Sequence, residues 1–420
     1  MTQRPERPAG QRARNRTCCR VAAISIAALL AAGPAGAQEA GVQEAGADGG
    51  DTASGGAVDW SLAARTRIGI EGDLNRDLDP DAQGALLTQA LEAGLVLDAQ
   101  TKRSLLSAEL GVSARYFIGD GNDLGGTGRL DPSLSINHSY TGKTYQVDTR
   151  AGLAVTRAAF SQADDTGTTD ANASQFTVNY GSSLTQQLDT QSSVTAGVNG
   201  TYTDFSESAV DLVPTFVVGT TAGWNRQITE TSALSFDLGF RHFAADNPED
   251  TRSQTADLSA RLQHRRTPRH MIGVTLGTTG VRTTETGTGT DFDINATGGI
   301  ALDYALRSLS ASLGLDQSIE PSSEGRLESQ TRVSGSLGYQ VNRRQQSSLT
   351  LSYSRRTPLG SDTGETRDFL RVSPSYSIAL TPAASFTFGY AFRLSRDDTD
   401  GLATGHQVFA FLERRFDLLP

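Results

Sequence analysis

Residues 58–420 predict an all-β fold: a transmembrane antiparallel up-and-down β-barrel of about 18 strands. Three observations carry this. Apolar and polar residues alternate over segment after segment, the connections are in turn short and long, and aromatic residues gather at segment ends. The clearest pair of segments is 366–394. There Leu370, Val372, Pro374, Tyr376, Ile378 and Leu380 alternate with Arg371, Ser373, Ser375, Ser377 and Ala379. After Thr381-Pro382-Ala383-Ala384 the pattern resumes, with Phe386, Phe388, Tyr390, Phe392 and Leu394 opposite Ser385, Thr387, Gly389, Ala391 and Arg393. Strand side chains alternate faces, so this is a hairpin with one apolar and one polar wall. Each arm is long enough to cross a bilayer, which takes roughly 9–11 tilted residues.

Composition fits a barrel around a wet interior. The 420 residues include 44 Gly but only 2 Cys and 2 Trp, and 37% are hydrophobic. One apolar face per strand is all that such a wall needs, so a mean hydropathy of -0.33 is in keeping. Residues 1–37 predict a signal peptide. Arg4, Arg7, Arg12, Arg14, Arg16 and Arg20 form a basic start, Val21–Ala32 an apolar run, and Ala35-Gly36-Ala37 a cleavage site. The apolar run is too short for a spanning helix, and no other run approaches that length. Cys18 and Cys19 leave with the leader, which excludes disulfides and thiolate metal sites from the mature chain. Losing six arginines and Glu6 moves the formal charge from -10 to -15. That balance argues against nucleic acid as a partner. Residues 38–57, acidic and without periodicity, predict a flexible periplasmic tail.

The barrel segments follow in order. Trp60, Leu62, Ala64, Thr66, Ile68 and Ile70 mark the first strand, with Arg65 and Arg67 opposite. Leu87, Leu91, Ala93, Leu95 and Leu97 mark the second, and Leu106, Ala108, Leu110, Val112, Ala114 and Tyr116 the third. Leu130, Pro132, Leu134, Ile136 and Tyr140 belong to the fourth, and Tyr145, Val147, Ala151, Leu153 and Val155 to the fifth. The last lies near His406–Phe416. An apolar-x-Pro-x-apolar motif recurs around Pro132, Pro214 and Pro374. Its intervals imply about four strands per ~80 residues. Proline removes a ladder hydrogen bond, so a bulge near one rim is expected at these sites.

One set of connections is short: 101–103, 141–143, 188–190, 225–227, 305–307, 342–344 and 381–382, with the basic 264–270 as a longer member. The other is long and acidic: 71–82, 119–128, 162–173, 244–250, 283–290 and 395–404. Short periplasmic turns and long external loops are the habit of outer-membrane barrels, whose even strand number puts both chain ends on the short-turn side. A soluble β-sandwich or solenoid would also alternate. The aromatics speak for the membrane: Tyr140, Tyr145, Trp224, Tyr304 and Tyr339 lie near short turns, and Tyr116, Tyr202, Phe240, Phe292 and Phe392 near long loops. Two such bands match the girdles at the two lipid interfaces.

The candidate functional residues are charges on the inner face. By parity these are Arg65, Arg67, Glu92, Asp98, Glu109, Arg115, Asp148, Arg150, Asp237, Arg241, Asp257, Arg261, Asp293, Asp303, Arg332, Arg371 and Arg393. Facing lipid, Arg or Lys would cost about 2–4 kcal/mol at the midplane. Facing a lumen, they can order water and select solutes. A plainer role is bracing of the wall by same-face ion pairs such as Asp148/Arg150, Asp237/Arg241 and Asp257/Arg261. The five histidines, His138, His242, His264, His270 and His406, show no metal-ligand spacing and no Ser-His-carboxylate set. The loops 397–401 and 125–128 each begin like a calcium motif but lack acids at required places. No catalytic residue, metal site or cofactor is expected, and the chain reads as a non-enzyme.

The leader, the alternating hairpins, the x-Pro-x strand starts and the ending Phe409-Ala410-Phe411-Leu412-Glu413-Arg414-Arg415-Phe416-Asp417-Leu418-Leu419-Pro420 resemble the alphaproteobacterial beta-barrel porin-2 group of outer-membrane proteins. The resemblance implies outer-membrane insertion and a porin-like role, with some similar proteins linked to exopolysaccharide export. Phe416 stands in for the terminal aromatic that many barrels present to the assembly machinery. The expected partners are outer-membrane lipid, lipopolysaccharide and that machinery. The function expected is a passive channel for small hydrophilic solutes. The alternative is a closed or structural barrel tied to exopolysaccharide export or envelope integrity.

Overall fold

The computed structural model describes residues 58–75, 78, 85–119, 129–157, 174–206, 212–248, 250–285, 289–359, 366–397 and 401–419. The leader 1–37, the tail 38–57 and most of the two calcium-like loops lie outside these. Eighteen strands form one sheet: β1 (Asp59–Leu74), β2 (Ala85–Gln100), β3 (Ser104–Gly119), β4 (Arg129–Thr141), β5 (Tyr145–Arg157), β6 (Ser174–Gln187), β7 (Ser192–Phe205), β8 (Thr215–Thr229) and β9 (Ser232–Ala245) in the first half. The second half is β10 (Arg252–Thr267), β11 (His270–Glu285), β12 (Gly289–Ala305), β13 (Leu309–Pro321), β14 (Leu327–Asn342), β15 (Gln345–Pro358), β16 (Arg367–Thr381), β17 (Ala384–Asp397) and β18 (Gly401–Leu419). Each pairs antiparallel with its sequence neighbours, and β1 closes on β18 from Leu62↔Leu419 to Leu74↔His406. Closure leaves no free sheet edge around the base of the barrel, the condition for crossing a bilayer with strands. Among the described residues no helix is long and apolar enough to cross a membrane.

Alternation sorts the two faces. Ile68, Ile70, Leu91, Leu95, Leu110, Leu153, Leu184, Leu238, Leu258, Leu276, Ile300, Leu313, Leu337 and Phe388 are exposed on the outside. A continuous apolar belt of this extent is foreign to a water-facing surface and needs hydrocarbon against it. The opposite parity is interior, as the burial of Phe117, Phe243, Ser253 and Ala391 shows. Aromatic contacts sit at the belt's edges: Tyr140 against Tyr145 at 5.8 Å, Trp224 stacked on Phe236 at 5.9 Å, and His270 on Tyr304 at 4.6 Å.

Several connections differ from the sequence reading. β8 runs through Asn225-Arg226-Gln227 to Thr229, because Ile228 prolongs the outward apolar row of Trp224, and the turn falls at 230–231. The basic stretch 264–270 is mostly strand, with only Pro268 and Arg269 between β10 and β11 and a register shift between Arg265 and Thr267. Thr283–Glu285 still pair with β12, up to Glu285↔Gly289, and Glu71–Leu74 and Ser395–Asp397 are likewise strand. Beyond the belt both faces of a ribbon are wet, so pairing continues where alternation stops. The three prolines fall at β4, just before β8, and in β16, four and eight strands apart, but at different heights. Only Pro374 interrupts a ladder in mid-strand: pairing to β17 lapses between Val372↔Phe392 and Ser375↔Gly389 while that to β15 continues.

Two local devices hold the wall. In the β6–β7 turn the Asp189 carboxylate accepts hydrogen bonds from the backbone N–H groups of Gln191 and Ser192, at 2.7 and 2.8 Å. Those bonds, Gln191's first, hold its acid strength above the usual, so its pKa is lowered. A depressed carboxylate pKa contributes stability above the unfolded pKa that is lost as pH falls through the folded one. Asp189→Asn is therefore expected to flatten the acid limb of the unfolding midpoint against pH. Nearer the other rim, Arg393 of β17 reaches past β18 to Asp73 of β1, the side chains only 6% and 7% exposed. It passes over Gly405, where an added Cβ would lie 3.4 Å from the guanidinium and 2.8 Å from the Asn75 carbonyl. Arg393→Ala would strip the guanidinium from a buried carboxylate, at a cost of roughly 3–5 kcal/mol. The check is the temperature at which the barrel loses its heat-modifiable gel mobility.

Candidate functional site: an inward hairpin across the mouth

The wall parts between β12 and β13. Their pairing runs from Ala305↔Ser310 up to Gly298↔Gln317 and stops, while β12 continues to Gly289 paired only with β11. Above Gln317, β13 stays paired with β14 as far as Pro321↔Leu327, and β14 with β15 as far as Glu328↔Pro358, so the β13–β14 hairpin leans inward from the gap while its β14 arm remains in the sheet. The hairpin leans inward onto β9 and β11, four and two strands back along the same wall. Ile319 and Leu327 join Phe243 and Ala245 of β9 and Val281 of β11 in a buried apolar cluster, with Val213, Val217 and Leu359 packed on its rim. Burying side chains of this size stabilises by about 1.5–3 kcal/mol each.

Polar ties fix the same placement. Arg241 Nη1 of β9 donates to the Ile319 carbonyl at 3.1 Å and to the Glu320 carboxylate at 3.3 Å. The backbone N–H of Val213, before β8, donates to the Ser323 carbonyl at 3.0 Å. Glu324 at the tip meets Arg367 of β16, which also holds Asp397 of β17 at 3.0 Å. Gly325 closes the turn with φ +82, and a Cβ there would stand 2.7 Å from Val213 and 2.8 Å from Ala245. Gly325→Ala is expected to lift the tip off β9 at a cost of about 1–3 kcal/mol. Faster trypsin cleavage at Arg326 in the folded barrel would show it. A second cluster packs Leu78, between β1 and β2, against Phe369 and Ala403 on another side of the mouth.

The inner-face charges divide into groups. Arg65 and Glu109 approach to 3.9 Å across β2, Arg67 and Glu92 to 3.5 Å, and the Arg67 guanidinium lies 3.7 Å over the inward Phe411 ring. Arg241 serves the hairpin and Arg393 the rim. The same-strand braces do not form. Asp148 accepts from Gln146 instead, at 2.9 Å, Asp257 from Thr279 at 2.6 Å, and Arg241 turns to Glu320. Arg332 donates to Gln330 at 3.1 Å. Asp98, Arg115, Arg150, Asp237, Arg261, Asp293, Asp303 and Arg371 lie along the inner faces of β2, β3, β5, β9, β10, β12 and β16. Three histidines are in hydrogen bonds: His138 with Ser104 at 2.9 Å, His264 with Ser232 at 3.0 Å and His406 with Tyr390 at 2.6 Å. Among the described residues no group of His, Asp and Glu is placed to hold a metal ion.

By contrast, β6, β7 and β8 present no charged side chain to the interior. Their inner rows run Gln175, Thr177, Asn179, then Thr195, Asn199, Thr201, Thr203, then Thr215, Thr221, Asn225. Between this neutral wall and the hairpin lies a cleft of about 450 Å³, lined on the hairpin side by Glu320, Pro321, Ser322 and Ser323. Sequence reading missed the hairpin. Its trace is the apolar residues Phe243, Ala245 and Val281 on the inner parity, where a wet lumen asks for polar ones.

No family model matches the chain, and no curated protein sequence matches it. Among solved structures, it is similar to Acinetobacter baumannii OccAB4 at 14% identity and TM-score 0.47, over 86% of this chain and 98% of that one. Pseudomonas aeruginosa OccK7 (OpdD) aligns at 10% identity and TM-score 0.48, over 86% of this chain and 100% of that one. Pseudomonas aeruginosa OpdL aligns at 12% identity and TM-score 0.46, over 86% and 99%. Likeness at this level assigns no solute to this chain.

Proposed function

We propose that this chain is an outer-membrane, porin-like channel that passes small hydrophilic solutes passively and is constricted at its long-loop mouth by the β13–β14 hairpin. One observation carries the reading: a closed 18-stranded wall, apolar outside and polar inside, is narrowed at the mouth by a hairpin that leans from β13 onto β9. Barrels of 16–18 strands leave an aqueous interior, so the hairpin, with the inward Leu78, sets the passage. The charge pairs Arg65–Glu109 and Arg67–Glu92 on one side and the neutral β6–β8 rows on another give the lumen a lateral field, which favours some solutes over others. Insertion by the barrel-assembly machinery, contact with lipopolysaccharide at the long-loop rim and kinship with the beta-barrel porin-2 group belong to the same proposal.

The test is single-channel recording of the refolded, heat-modifiable barrel in a planar bilayer. Steady openings support the channel. A silent barrel would overturn it and favour the closed or export-linked alternative, for which the hairpin would be a seal. Arg241→Gln removes the guanidinium from both Ile319 and Glu320, and a charge-assisted bond of this kind contributes about 1.5–3 kcal/mol. The variant is expected to show more frequent current transitions than wild type in the same recording, as the hairpin shifts on its anchor.

A further inference from the structure

We infer that the cleft between the hairpin and β6–β9 is a binding site for neutral polyhydroxylated solutes of the saccharide class; this rests on the channel reading above and names the solutes the channel favours. The charges that line the cleft are already engaged by the protein. Arg241 is held by Glu320, Arg356 lies 3.7 Å from Glu328, and Asp257 accepts the Thr279 hydroxyl. Two cationic and two anionic side chains, Arg241 and Arg356 against Asp257 and Glu320, leave no excess of either sign to draw an ion.

What remains for a ligand is neutral. Asn199, Thr201, Thr203, Thr215 and Thr221 line the wall side. Amides both donate and accept, and hydroxyls do the same through one oxygen, so such a surface can pair with the donor-acceptor hydroxyls of a sugar without a charge on either partner. The Ser322 and Ser323 hydroxyls of the hairpin are buried, Ser322 accepting the Arg326 backbone N–H at 3.4 Å, so the wall side carries the polar contacts. The cleft volume of about 450 Å³ falls in the usual range for small-ligand sites. Because the hairpin forms one side, a bound sugar sits at the constriction and obstructs the ion current. Binding in a conducting path must be weak enough to release, so half-blockage is expected at a concentration on the order of millimolar.

The experiment is titration of maltose into a KCl recording from the long-loop side, with sodium glucuronate as the charged control. The expected result is a saturable fall in current with maltose and none with glucuronate over the same range. Asn199→Ala and Thr201→Ala should each raise the half-blocking concentration about fivefold, the loss of one well-formed hydrogen bond. Thr185→Ala, lower on the same neutral wall, should leave it unchanged. An open channel whose KCl current ignores maltose, or which glucuronate blocks equally, overturns the saccharide site and leaves the channel standing. If no KCl current appears, calorimetric titration of maltose into the detergent-refolded barrel decides: heat that saturates and weakens in Asn199→Ala upholds the site, and no heat removes it.

Discussion

Replacing residues 319–329 with Asn-Gly raises the single-channel conductance, because it removes the tip that leans from the gap beside β12 onto β9, while β14 from Gln330 downward stays paired with β15. The register makes the deletion clean. Ser318 faces Gln330 in the paired hairpin, so a two-residue turn between them shortens the ribbon without shifting the strands below, where Gly298↔Gln317 anchors β13 to β12. Asn-Gly suits the tight turn because both central positions need φ above zero. The deletion exposes Phe243 and Val281 to the lumen and costs stability, but the remaining wall keeps every ladder of the belt. Heat-modifiable mobility should therefore survive at a lower transition temperature. An unchanged conductance in a folded variant would mean that the narrowest point lies elsewhere, with the β1–β2 connection at Leu78 as the next place to cut.

Much of the wall was legible in the sequence because period-two alternation is forced wherever one face meets lipid and the other water. Strand number, the side of the chain ends and the parity of Ile68, Leu95, Leu258 and Phe388 all follow from that single constraint. Legibility fails where the constraint lapses. Above the belt, Thr283–Glu285 and Ser395–Asp397 pair as strands though they read as loop, and Asn225–Gln227 read as a turn before Ile228 resumes the row. The braces were misplaced for a geometric reason. Residues two and four apart on one strand are about 6.8 and 13.6 Å apart along it, whereas inner-face neighbours on the next strand lie about 4.5–5.5 Å away. Arg65 accordingly reaches sideways to Glu109, past Gly94, and Arg241 to a strand that is not its neighbour at all. The hairpin itself was invisible by pattern: Ile319 continues the row of Leu313 and Leu315, and only a turn of the ribbon carries it inside. The inward apolar residues Phe117, Phe243, Val281 and Phe369 were the readable anomaly, since a water-filled barrel has no use for them.

Cysteine pairs separate an inward hairpin from a wall that zips shut, and the outcome is all or none. The chain's two cysteines are both in the leader, so an engineered pair has no competitor after cleavage at the predicted site. Val213→Cys with Ser323→Cys is expected to cross-link under mild oxidation, because the 3.0 Å backbone hydrogen bond between them places the Cα atoms within the roughly 4.4–6.8 Å that a disulfide spans. Ala296→Cys with Ile319→Cys is expected not to. Those two residues would face each other only if the Gly298↔Gln317 register continued upward and β13 lay against β12. Leu302→Cys with Leu313→Cys, paired in the zipped part, should form and report that oxidation worked. Gel mobility of the unfolded protein with and without reductant reads all three. The reverse result, Ala296 with Ile319 and not Val213 with Ser323, would return β13 to the wall, satisfy the open edge of β12 above Gly298, and remove both the constriction and the cleft. The expected result leaves that edge facing the water of the mouth, where unpaired backbone groups are tolerated only because they are out of hydrocarbon.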